Sequence, residues 1–415
     1  MQSQKLALLA LAAALGCNDS GSPAKSVSPE LQQEAFRGNG DYVATPAGLY
    51  HRTCVHEVED GARIGKNGLV RRRNGTTYQL PACMYRSFKL RPDHRGKDDI
   101  LAPTNNGWVE WVQATQTLPA YYGKLTANWT VPSNPSAGLG AGQVYYTFPG
   151  LQNATYIIQP VVQFGFNNDF GGTFWQMASW HCNGNCTHST PHAVAAGDAM
   201  YGSISASSCA NGTCTWTIVT KDLTANDSTV MNVTDDNHYN WSTGGAVEVY
   251  GLTSCNQYPI NGVIYSSIKA YNGSMTQIYP SWTNKVTAGL SPSCGFRLTS
   301  TTDSVVLYHN PGPAPSISSL STNPSPPRQY ISFALTVNGS GFNPATAEIV
   351  YSQPCYPPGS WCPQVYPNNQ LTTKTQTQLV AQMAFSIAND TVRIQVRNGI
   401  LGTLSNTQQI VILPM

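Results

Sequence analysis

The stretch Gly-Gly-Ala-Val-Glu-Val-Tyr-Gly, residues 244–251, sets one carboxylate in the middle of an apolar run braked by glycines. In a strand, Ala246, Glu248 and Tyr250 share one face, and Val247 and Val249 share the other. The valines suit a core, so Glu248 points the opposite way, beside a small residue and an aromatic one. An ionised Glu there needs a partner, or its pKa rises. A raised carboxyl can give and take protons, as a general acid–base must. The plain alternative is a Glu paired with a nearby Lys or solvated on an outer face. A second run, TYIIQPVVQFG at 155–165, sets Gln159 among Ile157, Ile158, Val161 and Val162. Pro160 follows it, which points to an edge or a bulge, and bulges re-aim functional side chains. A lone Gln in such a run needs hydrogen-bond partners if buried.

Other chemistries are less well served. HCNGNCTHSTPH, residues 181–192, gathers His181, Cys182, Cys186, His188 and His192. Zinc sites use such spacing, but in an exported chain Cys182 and Cys186 are expected to close a small disulfide loop, and no metal is expected. No G-x-S-x-G elbow accompanies a Ser/His/Asp set. A glycosidase needs two carboxylates flanking one bond, and the central region offers only Glu110 and Glu248 beside scattered Asp.

The elements that must position these residues read as strands. KLTANWTVP, GQVYYTFPG, DAMYGSISAS, CTWTIVTKD and SVVLYH are rich in Val, Ile, Thr and Tyr and are spaced by Gly, Asn and Pro. The expected fold is all-β, with a two-sheet antiparallel sandwich over residues 108–310. Residues 311–328 read as a Pro/Ser linker, and residues 329–415 as a small immunoglobulin-like β-sandwich. There Val392, Ile394 and Val396 alternate with Arg393, Gln395 and Arg397. LTVNGSGFNPAT and VRIQVRNG…LSNTQQIVI give this unit its resemblance to IPT/TIG domains, which serve as spacers or binding modules.

The chain of 415 residues is only 11% charged, with a net charge of +2. That gives no case for nucleic-acid binding. An apolar run from Leu6 to Leu15 followed by Gly16-Cys17 fits a signal peptide over residues 1–17. Ala-Leu-Gly-Cys resembles a bacterial lipobox, which would lipidate Cys17 and place the protein outside the cell or on a bacterial outer surface, anchored to membrane lipid. Without Cys17 the ten cysteines fall into neighbouring pairs: Cys54 with Cys83, Cys182 with Cys186, Cys209 with Cys214, Cys255 with Cys294, and Cys355 with Cys362. Sequence alone does not fix that connectivity. Residues 18–107, a tether followed by a charged segment, hold 13 Lys and Arg against 10 Asp and Glu. Residues 108–310 hold 5 against 9. The imbalance predicts electrostatic docking of the first region on the second.

Over residues 108 to about 300, six segments in order resemble the glutamic peptidases of the eqolisin family, and more distantly the neprosin family. They are TANWTVPSNP, VYYTFPGLQNATYIIQPVVQFG, FWQMASWHC, AVAAGDAMYGSISAS, CTWTIVTKDLTANDSTVMNV and GGAVEVYG. The second resembles the family's Trp-Val-Gly-Ile-Asp-Gly segment, which leads into Ile-Leu-Gln-Thr-Gly. The resemblance implies a lectin-like sandwich with a catalytic dyad on its concave face, Gln159 and Glu248 here. Trp175, Trp180 and Tyr250 would lie in the substrate groove. Val249 stands where the family has Asp, and Pro149-Gly150-Leu151 replaces its Ile-Asp-Gly.

By that resemblance the protein is an acid endopeptidase acting on polypeptide substrates with an activated water and no cofactor. It would be made as a zymogen, with residues 18–107 as tether and propeptide. The rival readings are a carbohydrate-binding lectin-like surface protein, for which glycans would be partners, and an inactive adhesin.

Overall fold

A computed structural model describes residues 41–88, 106–117, 119–235, 239–310, 314–344, 346–355, 360–399 and 402–415. The expected signal peptide, Cys17 and the expected tether lie outside the described residues. The N-terminal segment carries six short strands: β1 (Tyr42–Thr45), β2 (Gly48–His51), β3 (Val55–Val58), β4 (Arg63–Ile64), β5 (Leu69–Arg71) and β6 (Thr77–Gln79). The sandwich then runs β7 (Gly107–Thr115), β8 (Tyr122–Thr130), β9 (Val144–Gln152), β10 (Ile157–Phe166), β11 (Gly171–Cys182), β12 (Cys186–Ser189) and β13 (His192–Val194). It continues with β14 (Ala199–Ala210), β15 (Thr213–Asp222), β16 (Asp227–Asp235), β17 (Trp241–Tyr250), β18 (Val263–Asn272), β19 (Gln277–Ile278), β20 (Thr283–Val286), β21 (Arg297–Ser300) and β22 (Val305–Tyr308). The fold is all-β, as expected.

Two large sheets face each other. One has the order β20-β7-β17-β9-β10-β11-β12-β3, with β13 also paired to β11; the other runs β21-β22-β18-β8-β14-β15-β16-β4-β5-β6. Val162, Trp175, Met177, Ile204, Trp216 and Val247 are among the side chains filling the space between them. In the second sheet β15 alternates buried and half-buried residues along its whole length, as a strand with one wet face does. In the first sheet β9 and β17 are buried at every position. Their outer face is therefore also covered, which explains why GGAVEVYG reads as a continuous apolar run.

The cover comes from the N-terminal segment, which is not a separate accessory unit. β3 adds to β12 and β4 adds to β16, both in parallel, so the segment extends the same edge of both sheets. Those two pairs depart from the antiparallel expectation. Val58, Ala62, Ile64, Val70 and Leu80 enter the inter-sheet core. The β1–β2 hairpin instead lies over the outer face of the first sheet, where Val43, Ala44, Leu49 and Tyr50 pack with Tyr146, Phe148 and Tyr250. The docking is mainly apolar and main-chain. Among the described residues an ion pair joins Asp60 to His192 at 3.0 Å, with the acid on the segment side. The basic-on-acidic docking read from the charge counts does not describe these contacts. Arg71, Arg72 and Arg73 instead sit on an exposed rim with Arg63.

The C-terminal unit is a sandwich of two four-stranded sheets. Its first strand, Ser316–Asn323, pairs with Phe333–Ser340. Much of the predicted linker is thus sheet; Ser-rich edge strands with little burial carry no clear strand pattern.

Five disulfides join the cysteines as Cys54–Cys83, Cys182–Cys186, Cys209–Cys214, Cys255–Cys294 and Cys355–Cys362. Such a set belongs to an oxidising compartment. Among the described residues no helix is long and apolar enough to cross a membrane.

Glu110 points into the inter-sheet core and pairs with His309, both fully buried. Burial holds the Glu110 carboxyl above its usual range, with His309 pulling the other way. A carboxyl held high binds its proton more tightly in the folded than in the unfolded state. It adds stability below the ordinary carboxylate range, and that stability is lost as pH rises through the folded value. Glu110→Gln is therefore expected to flatten the fall in Tm as pH rises above the ordinary carboxylate range. Identical pH slopes for the two proteins in thermal melts would sink this reading.

Candidate active site

The two glycines that open GGAVEVYG form a bulge. Thr243 faces Gly150 on β9 and Ala246 faces Phe148, so β17 spends one extra residue between them. A side chain at Gly245 could not fit there, since its Cβ would lie 2.4 Å from the Tyr265 ring. The bulge lets Trp241 and Thr243 on one side of it, and Ala246, Glu248 and Tyr250 on the other, all face outward. Val247 and Val249 go to the inter-sheet core. Glu110 pairs opposite Val247 on β7, so the two glutamates of the sandwich point to opposite faces. They cannot flank one glycosidic bond.

Glu248 is fully buried. It accepts a hydrogen bond on Oε1 from the Tyr250 hydroxyl. Tyr250 and Tyr146 are both held well above the usual phenol range, chiefly by burial, with the Glu248 carboxylate adding to it. Both therefore stay protonated and serve as donors at any ordinary pH.

Register decides what faces Glu248. Glu248 sits opposite Tyr146 of β9, and Tyr146 sits opposite Gln163 of β10. Residues paired directly across a sheet share a face, so Glu248, Tyr146 and Gln163 form one outward row. Its ends are two strands, roughly 10 Å, apart at the backbone. Two side chains of this length can close that gap to the width of a water.

Gln159 lies on the same face at another level. Counting on from the Ile158–Leu151 pair places it opposite Gly150, with Trp180 on its other side. Its Cγ is 3.3 Å from where a Cβ on Gly150 would stand. Gly150 and Tyr146 are four residues apart, about 13 Å along the strand. The structure thus sets Gln163, not Gln159, level with Glu248. The sequence signal was present: Val-Val-Gln-Phe-Gly at 161–165 has a Gln-x-Gly pattern, and Gly165 holds a left-handed φ of 101° at a break in register.

Gln163 is fixed by the turn that follows. Its Nε2 donates to the Gly165 and Phe170 carbonyls at 3.0 and 3.1 Å, and Asn167 Nδ2 approaches its Oε1 at 3.4 Å. Asn167 Nδ2 also donates to the Tyr146 hydroxyl at 3.0 Å. Its Oδ1 accepts from the Asp169 and Phe170 amides. A hydrogen-bonded chain thus runs from Gln163 through Asn167 to Tyr146.

Of the expected groove residues, Tyr250 and Trp180 lie on the outward face, Trp180 near Phe170 and His188. Trp175 does not. It pairs with Phe164 and packs against Tyr145 and Phe164 between the sheets. An odd spacing of five residues puts the two tryptophans on opposite faces of one strand.

The face is occupied by the β1–β2 hairpin, buried from Val43 to Tyr50. The Ala44 amide donates to the Asn167 carbonyl at 3.1 Å, and the Tyr146 hydroxyl donates to the Ala44 carbonyl at 2.5 Å. Gln159 Nε2 donates to the Pro46 carbonyl at 2.6 Å. Asn168 Nδ2 holds the Tyr42 carbonyl at 3.2 Å.

The His- and Cys-rich stretch is spent on structure. Cys182 and Cys186 form their disulfide; His181 pairs with Asp235 and His188 with Asp169, while His192 bridges Asp60 and Asp227. Among the described residues no group of three or more His, Cys, Asp or Glu could hold a metal ion.

No protein-family model matches the chain, and no curated protein matches it. Among solved structures it is similar to scytalido-glutamic peptidase with a peptide-based transition state analogue. The TM-score is 0.37 and the identity 11%, over 50% of this chain and 100% of that one.

Proposed function

We propose that this chain is the precursor of an exported endopeptidase that works in acid, with Glu248 and Gln163 as its dyad. The observation that supports it most is the outward row Glu248–Tyr146–Gln163 lying under a peptide segment whose main chain is hydrogen-bonded to it. In this reading Glu248 takes a proton from a water whose oxygen attacks the scissile carbonyl carbon. It then gives that proton to the leaving nitrogen as the C–N bond breaks. The Gln163 amide holds the water and, once the covering hairpin leaves, turns toward the oxyanion. Polypeptides are the substrates, and the hairpin is the first peptide the groove holds.

The zymogen reading then divides the N-terminal segment in two. Residues 42–51 plug the groove. Residues 55–80 complete both sheets and stay. The test is incubation of the full chain in acid, followed by casein hydrolysis and N-terminal analysis. Appearance of activity together with loss of the hairpin is expected in the parent. A Glu248→Gln chain that hydrolyses casein at the parental rate would overturn the proposal.

A further inference from the structure

We infer that the groove reads a substrate by its main chain, and that Gln159 is the positioning residue that anchors it at a second point, four strand residues along the sheet face from the dyad. This rests on the peptidase reading, whose dyad it leaves unchanged. The hairpin strand gives the evidence. At Ala44 both main-chain groups are held, the amide by the Asn167 carbonyl and the carbonyl by the Tyr146 hydroxyl. At Pro46 the carbonyl is held by Gln159. Pro46 is the first residue of the turn that follows the strand, so the face grips the main chain of this segment at two separate points, once within the strand and once where it turns.

The geometry ties the ladder to the chemistry. Tyr146 lies in register between Glu248 and Gln163, so the carbonyl it grips is level with the dyad. Gln159, opposite Gly150, stands four residues further along the same face, with Phe148 between the two levels. It is fully buried, and its Oε1 has no hydrogen-bond partner while its Nε2 is aimed at the bound peptide. A buried amide with an unspent acceptor suits a ligand that brings a further N–H. Pro46 at that position, having one carbonyl and no N–H, can use only half of it. A peptide with an N–H within reach of Oε1 would use both halves and hold more tightly. The hairpin also turns back after Pro46, where the Thr45 hydroxyl bonds the Gly48 carbonyl at 2.7 Å, so it fills the groove without running through it.

Two readouts separate this inference from the dyad. In the full chain before processing, Gln159→Ala is expected to speed hydrogen exchange of the residue 42–51 amides by about tenfold, the worth of one hydrogen bond to a buried carbonyl. After acid processing, it is expected to raise KM for a peptide of sequence Tyr-Val-Ala-Thr-Pro-Ala carried into a longer extended chain by about tenfold, with a smaller fall in kcat. Gln159→Glu adds a signature that a structural role does not give. Its carboxyl donates to the carbonyl when protonated and repels it when ionised, so both effects are reversed as pH falls through the carboxyl range. If the full chain never gains activity, the dyad proposal fails and the exchange measurement still decides this one. Hairpin exchange at the parental rate in Gln159→Ala overturns it.

Discussion

Replacing Glu248 by Gln is expected to lower kcat for peptide hydrolysis by about a thousandfold or more, since it removes both the proton acceptor and the later donor. Gln163→Ala is expected to fall by roughly a hundredfold to a thousandfold, the usual loss when one oxyanion donor is removed. Gln159→Ala falls chiefly in KM. The three variants thus separate by place on one sheet face: the two that are level with each other fall in kcat, and Gln159, at another level, falls in KM. Glu248→Gln is nearly isosteric and keeps the acceptor for Tyr250, so its fold stands. Tm and the near-ultraviolet spectrum check that. Steady-state assays from acid to neutral pH measure the rest. Should Gln159→Ala match Glu248→Gln in kcat while Gln163→Ala stays active, the partner of Glu248 is Gln159 and the register argument is wrong.

That choice between two glutamines shows where sequence reading stops. The direction of Glu248 was legible, because Val247 and Val249 fix the alternation locally. Gln159 and Gln163 are both odd-numbered positions on one strand and share a face. Alternation cannot tell them apart; only the pairing of β10 with β9, then β9 with β17, sets their levels, and those are long-range contacts. Trp175 and Trp180 were separable in principle, being an odd number apart. The sandwich was legible because long strands such as β15 carry a period of two over ten residues. The N-terminal segment was not, since β4 to β6 are only two or three residues long and too short for any pattern. Its charge was legible, but the described contacts rest on other groups. What docks it is Ile64, Val70 and Leu80 in a shared core and two parallel edge pairings.

The same packing yields the second large effect. A chain beginning after His51 is expected to fold with an open groove and to hydrolyse casein in acid without a lag. A chain beginning after residue 106 is expected to lose most of its stability and to precipitate. The first deletion removes a hairpin that lies on the outer face, where the apolar residues it uncovers are those of a substrate groove. The second strips Val58, Ala62, Ile64, Val70 and Leu80 from the inter-sheet core, each at most 6% exposed. At about 1–3 kcal/mol for each large apolar side chain, that loss rivals the roughly 5–15 kcal/mol that hold a whole domain together. It also leaves the β12 and β16 edges unpaired, and open edges recruit other chains. The Cys54–Cys83 bridge closes the part proposed to stay. It would hold that part in one piece if acid processing cut between the two cysteines. Differential scanning calorimetry of the two truncated chains, with light scattering, reads the contrast. Equal Tm and equal solubility would make residues 55–80 a dispensable prosegment. A large gap makes them part of the mature enzyme, with the hairpin alone as the plug.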